Sequence, residues 1–171
     1  MSVAKYIPNE PSVTVRVATA DDCLLFWHWA NDPEVRSRSF SPEPIPLDAH
    51  RLWFEDKLAS ASCVMLVGLD AFGTAMGQVR LDLTNDTEGQ TAAIISISLA
   101  DKYRGQGLGT QLLRAAVAAA TEQLGNVKFI GYVLTDNGNS RKMFEKSGFL
   151  LSGNAVFKDR ECVCYLWPGA G

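Results

Sequence analysis

Residues 103–109 read Tyr-Arg-Gly-Gln-Gly-Leu-Gly, between an alternating stretch, Ile94-Ile95-Ser96-Ile97-Ser98-Leu99, and a long alanine- and leucine-rich segment. Three glycines in five residues at the start of a helix cost conformational entropy, so some gain must offset them. A helix N-terminus presents unpaired backbone N–H groups and the positive end of a dipole, which attract anions. Glycine lets that backbone close on a phosphate without a Cβ in the way, and Arg104 adds a forked cation suited to phosphate oxygens. A pyrophosphate cradle is one reading; a turn that merely permits tight helix–strand packing is the other. Two familiar phosphate loops do not fit. Gly109-Thr110 lacks the preceding lysine of a nucleoside triphosphate loop, and Gly105, Gly107 and Gly109 have the wrong spacing for a dinucleotide loop.

The elements around this turn are read from periodicity. Val13, Val15 and Val17 alternate with polar residues and predict a strand; Thr19-x-x-Asp22 resembles a capping box ahead of a helix through Leu24, Leu25, Trp27 and Trp29. Asn31-Asp32-Pro33 is expected to end that helix, and the prolines at 33, 42, 44 and 46 predict a stiff, irregular connection. A helix over roughly 48–59, strands over 63–69, 73–83 and 91–99, a long helix over 107–124 and a strand over 128–134 follow. A short helix over 139–147 stops at Gly148, and strands near 149–151 and 162–167 close the chain. The expected fold is a single α/β domain over 13–167, with a mixed, mostly antiparallel sheet of about six to seven strands and helices on both faces. Residues 1–12 read as a loose arm and 168–171 as a tail.

Composition narrows the function. The chain has 171 residues, 47% hydrophobic and 20% charged, with a net charge of −3, which leaves no basic field for nucleic-acid binding. Cys23, Cys63, Cys162 and Cys164 lack the spacing of a zinc or redox site, so no metal is expected and the thiols read as reduced and structural. No signal peptide or membrane-length apolar run is apparent, which makes the cytosol the default compartment.

With Arg104, Gly107 and Gly109 the central segment resembles the Arg/Gln-x-x-Gly-x-Gly/Ala motif of the GCN5-related N-acetyltransferase (GNAT) family. Residues 137–149, Asn-Gly-Asn-Ser-Arg-Lys-Met-Phe-Glu-Lys-Ser-Gly-Phe, resemble that family's following segment, and the order of elements from 13 to 167 is similar. The resemblance implies an N-acetyltransferase with acetyl-coenzyme A as donor and no metal. Its pyrophosphate would lie on the backbone of Gln106, Gly107, Leu108, Gly109 and Thr110, with Arg104 and Gly105 beside it. Its pantetheine arm would run along Ser98-Leu99-Ala100, where two strands splay apart, and the Leu99 N–H would polarise the thioester carbonyl. Asn139 would contact the donor from across the cleft. Phe144 occupies the position where many members carry a tyrosine that protonates the departing thiolate, and a phenyl ring has no proton to give. Tyr103 and Tyr132 are alternative donors.

For the acceptor, the same resemblance places a cleft between the first two helices and the strands beyond. Asn31, Arg36, Arg38, Phe40, Trp53 and Arg80 are its expected binding residues, with Trp29 nearby. Arginines beside aromatic rings suit a nucleotide, with the base stacked and the phosphates paired. The stretch 29–54 is similar to acceptor segments of relatives that acetylate nucleotide-linked amino sugars of the pseudaminic acid pathway type. His50 is the expected base, because it titrates near neutrality, and Asp82 is the second candidate. The acceptor is therefore expected to be a small amine, best a nucleotide-linked amino sugar. A peptide N-terminus, an antibiotic or polyamine amine, or an acyl-CoA-binding module without chemistry are the alternatives. A homodimer is compatible with this reading.

Overall fold

A computed structural model of the chain describes residues 13–169. The expected arm at 1–12 and the last two residues of the tail lie outside them. Seven strands form one sheet, β1 (Thr14–Val17), β2 (Cys63–Leu69), β3 (Ala75–Asn85), β4 (Thr91–Leu99), β5 (Lys128–Leu134), β6 (Leu150–Phe157) and β7 (Arg160–Leu166). They lie in the order β1-β2-β3-β4-β5-β7-β6, and every neighbouring pair is antiparallel except β4 with β5. Five helices pack on it, α1 (Cys23–Ala30), α2 (Pro33–Ser37), α3 (Leu47–Ala59), α4 (Leu108–Leu124) and α5 (Gly138–Ser147).

Alternation along the strands sends side chains to two different cores. Leu66, Val79, Leu81, Ala93, Ile95 and Phe129 point one way, into a core closed by Leu112, Leu113, Ala116 and Val117 of α4 and Phe144 of α5. Met65 and Val67 point the other way, against Phe26 and Trp29 of α1 and Phe54 of α3. On β3 and β4 that second face turns polar, with Gln78, Arg80 and Asp82 facing Ser98, Ser96 and Ile94 across the ladder. A polar floor inside a half-buried sheet face is the signature of a site.

Two expectations are corrected. Residues 33–37 are helical, because Pro33 sits in the first turn, where its missing N–H costs nothing. Asp32 caps that turn, its Oδ1 accepting from the N–H groups of Glu34 at 3.0 Å and Val35 at 3.2 Å. At the other end, residues 150–166 form a long hairpin in place of two short strands. Its tight turn is made by Lys158 and Asp159, both with positive φ (48° and 60°). The capping box, by contrast, is present, with the Thr19 N–H donating to Asp22 Oδ2 at 2.8 Å.

Candidate active site

β4 and β5 run side by side only from Ala92–Lys128 to Ile95–Gly131. Beyond that point each continues with its other neighbour, β4 with β3 to Leu99 and β5 with β7 to Leu134, so a gap opens between them. Register decides which groups face the gap. The Ala100 N–H donates to the Met76 carbonyl at 2.9 Å, which makes that pair a hydrogen-bonded one. Leu99, opposite Gly77, therefore falls at the intervening position, and its N–H and C=O turn away from β3 toward β5. Ser98 pairs with Gln78 in the β3 ladder, while Ala100 gives its N–H to Met76 and its carbonyl to the Tyr103 N–H at 3.0 Å, so of the three residues expected along the arm it is Leu99 whose N–H faces the gap. What Ser98 retains is a hydroxyl, which accepts from Gln78 Nε2 at 3.0 Å.

The glycine-rich turn lies at one end of this gap. Gly105 and Gly107 have φ of 72° and 75°, and a Cβ at either would meet nothing within 4 Å, so they are needed for the shape of the turn and leave it open. Gly107 precedes α4, whose 17-residue span starts with no capping side chain. Gly109 has a different reason. A Cβ there would stand 2.9 Å from Met143 Sδ, so it permits α4 to approach α5. Gly105, Gly107, Gly109, Thr110 and Asn139 all line a cleft of about 1230 Å³ that includes the gap. Ala100, Gln106 and Leu108 are not among its lining residues. The Gln106 side chain bonds the Lys102 carbonyl at 2.8 Å, and Leu108 packs on the core. The features suited to an anionic, extended donor here are an open backbone turn at a helix start, a strand edge with the Leu99 N–H turned outward, and Lys142 and Lys146 of α5 on the same wall. Sequence reasoning passed over those two lysines, which look like an ordinary solvated helix face.

Arg104 is not aimed at a phosphate. Its Nη2 and Nε donate to the Leu99 carbonyl at 2.9 and 3.2 Å, and its guanidinium pairs with Asp32 at 3.2 Å, Glu34 at 3.1 Å and Asp101 at 3.4 Å. It ties the edge of the gap to α2.

Phe144 is a core side chain, 3% exposed, packed between Phe149 and Tyr165 with its ring where a Cβ on Gly131 would be 2.3 Å away. Tyr103 gives its hydroxyl to Asp70 Oδ2 at 2.9 Å and is structural. The Tyr132 hydroxyl has no partner among the described residues; its ring stacks on Phe157 (4.4 Å, 9°) and lines the cleft, and burial raises its pKa.

The expected acceptor residues divide. Asn31 is spent on the chain itself, donating to the Trp27 and Ile45 carbonyls at 3.2 and 3.1 Å and accepting from the Ile45 N–H at 2.8 Å. Arg36 bonds the Ala30 carbonyl, the Ser41 carbonyl at 2.8 Å and Ser39 Oγ at 3.1 Å, which folds the 30–43 segment. Neither is free to hold a substrate phosphate, a correction that follows from where their donors go. His50 is 2% exposed, with Nε2 donating to the Cys23 carbonyl at 3.0 Å and its ring against Trp53 and Phe54; burial lowers its pKa. It joins α3 to α1 and also lines the cleft, where burial works against the imidazolium that a base must become. Asp82 is held by Lys57 at 2.6 Å and Arg80 at 2.8 Å. Burial alone would raise its pKa, but those two cations bring it below the ordinary carboxylate value, so it is no base either.

What the cleft does bring together is Arg38, Phe40, Trp53 and Arg80 with three residues sequence reasoning missed: Asn137, Phe157 and Lys158. Asn137 Oδ1 caps α5, accepting from the Ser140 N–H at 3.3 Å, and it also accepts from Arg38 Nη1 at 3.4 Å. An asparagine three residues ahead of Ser140 was a readable cap signal. Phe157 meets Phe40 edge to face at 5.2 Å, and nothing in the 152–161 segment announced it.

The chain is 31% identical over 111 residues to the L-methionine sulfoximine/L-methionine sulfone acetyltransferase of Pseudomonas paraeruginosa and 30% identical to that of Pseudomonas aeruginosa. Those matches cover 64% of this chain and span 63% of each relative's length. In fold it resembles the aminoglycoside acetyltransferase AAC(6')-Ib in complex with ribostamycin and coenzyme A (TM-score 0.81, 21% identity, 91% of this chain and 93% of that one). It also resembles the spermidine N-acetyltransferase of Vibrio cholerae in complex with CoA and spermine (TM-score 0.76, 19% identity, 92% and 94%). Residues 12–150 match the acetyltransferase (GNAT) domain, and the chain belongs to that family.

Proposed function

We propose that this protein is an acetyl-CoA-dependent N-acetyltransferase acting on the primary amine of a small acceptor by direct attack in a ternary complex. The observation that carries the reading is the β4–β5 gap with the Leu99 N–H turned into it, beside an uncapped, glycine-opened helix start. An N–H fixed by a sheet ladder stabilises the oxyanion that develops on a thioester carbonyl without having to reorganise. The amine nitrogen attacks that carbonyl carbon, the carbon–sulfur bond breaks, the nitrogen gives up a proton and the departing thiolate takes one.

The titratable groups lining the cleft are poorly suited to take the first proton, His50 because burial disfavours its charged form. Asp82, Glu34 and Asp101 are all ion-paired, so water held over Ser96, Ser98 and Gln78 fills that role. Tyr132 supplies the second proton, being the tyrosine in the cleft with an uncommitted hydroxyl. The relatives' names mention amino-acid derivatives, aminoglycosides and spermidine, which supports a small-molecule amine. A nucleotide-linked amino sugar loses the support it drew from Arg36.

The test is thiol release from acetyl-CoA against amino acids, amino sugars and their nucleotide-linked forms, polyamines, aminoglycosides and short peptides. Release with at least one small amine is expected, with kcat lowered about 100-fold by Tyr132→Phe. Tight acetyl-CoA binding with no release across the panel would make the chain an acyl-CoA-binding module instead.

A further inference from the structure

Seven basic and three acidic side chains line the cleft of a chain whose net charge is −3. Arg104, Lys142 and Lys146 lie toward its glycine-rich end, Arg36 is consumed by its own loop, and Arg38 bonds Asn137 at 3.4 Å and pairs with Glu34 at 3.7 Å. Arg80 and Lys158 remain unexplained. Arg80 spends Nε on Asp82 and lies 5.1 Å over the Trp53 ring, while its two terminal NH2 groups bond no described residue. Its one carboxylate is shared, since Lys57 holds Asp82 at 2.6 Å, so this trio carries a net positive charge.

Lys158 adds another. It lines the same cleft as Arg80, and its pKa is lowered by desolvation and by the Arg80 and Lys57 charges, with Asp82 opposing them. Its ammonium has no ion-pair partner among the described residues, only the Phe157 ring at 5.6 Å. It also occupies a strained place, at positive φ in a two-residue hairpin turn where Asn-Gly is the ordinary choice. Cations gathered around one already paired carboxylate repel one another, and a bound anion relieves that repulsion.

We propose that Arg80 and Lys158 together hold an anionic group, a carboxylate or a phosphate, carried by the acceptor, so that the acceptor is an amine with its own negative charge rather than a polycation. This rests on the acetyl-transfer reading above for what is done to the amine, but not for the anion preference itself.

The two are separated by calorimetric titration of the coenzyme A-saturated protein with matched pairs: norleucine and norleucinamide, O-phosphoethanolamine and ethanolamine, and spermidine alone. The anionic member of at least one pair is expected to bind more than tenfold tighter than its neutral twin, and which pair responds identifies the anion. That ratio should fall toward one in Lys158→Asn, which keeps a residue tolerant of positive φ, and in Arg80→Met, with thermal melts verifying that both variants fold. Neutral twins or spermidine binding as well as the anionic amines, no binding in any pair, or a preference that survives both substitutions would overturn the proposal. A preference for the anionic twin with no thiol release from any amine would instead leave the anion site standing and remove the acetyl-transfer reading.

Discussion

Arg104 occupies the arginine position of the glycine-rich motif, yet its donors go to the Leu99 carbonyl and to three carboxylates on α2 and the preceding turn. A guanidinium that grips the carbonyl of the residue supplying the oxyanion N–H fixes the direction of that N–H, since both belong to adjoining peptide planes. Arg104 is thus a positioning residue. Arg104→Gln is expected to lower kcat by about 10- to 100-fold, the size of effect that a slight misplacement produces, while the KM for acetyl-CoA shifts by less than about threefold. Steady-state kinetics reads the split. A large rise in that KM with kcat intact would mark Arg104 as a phosphate ligand after all. The same scale separates the three glycines. Gly105 and Gly107 shape an open turn, and Gly109 lets Met143 come close.

At the scale of elements, the gap needs a wedge that keeps β5 from following β4. After Gly131, β5 continues on β7, and the Phe144 ring of α5 sits against the glycine, in a site built with Phe149 and Tyr165. Gly131→Ala would place a methyl 2.3 Å from the Phe144 ring, so strand and helix must part. The expected loss is about 1–3 kcal/mol, read by chemical denaturation. Adding Phe144→Leu should return part of it, because contacting sites are coupled; a fully additive double mutant would contradict this packing. The elements also differ in how readable they were. β2, β4 and β5 are apolar runs between clear turns, and their expected bounds are the observed ones. α2 was missed because Pro33 reads equally as a stop or as a first turn. The 150–166 hairpin was missed because Lys158-Asp159 lacks the glycine or asparagine that marks a two-residue turn most clearly.

For the whole molecule, a sheet split at its parallel pair makes one cleft with a donor end and an acceptor end, and the two were unequally legible. The donor end is written in backbone terms, glycines at a helix start after an alternating strand, and backbone needs follow from local sequence. The acceptor end is written in side chains whose partners are set by the tertiary fold. Nothing in the sequence tells that Asn31 and Arg36 bond their own loop, that His50 is enclosed by aromatic rings, or that Lys158 lines the same cleft as Arg80. The account as a whole depends on where the thioester lies. A crystal structure with acetyl-CoA, or a non-hydrolysable analogue, tests that most directly. The carbonyl oxygen is expected about 3 Å from the Leu99 nitrogen, with the pyrophosphate on the backbone of residues 107–110. A donor bound elsewhere, with the β4–β5 gap empty, would contradict it.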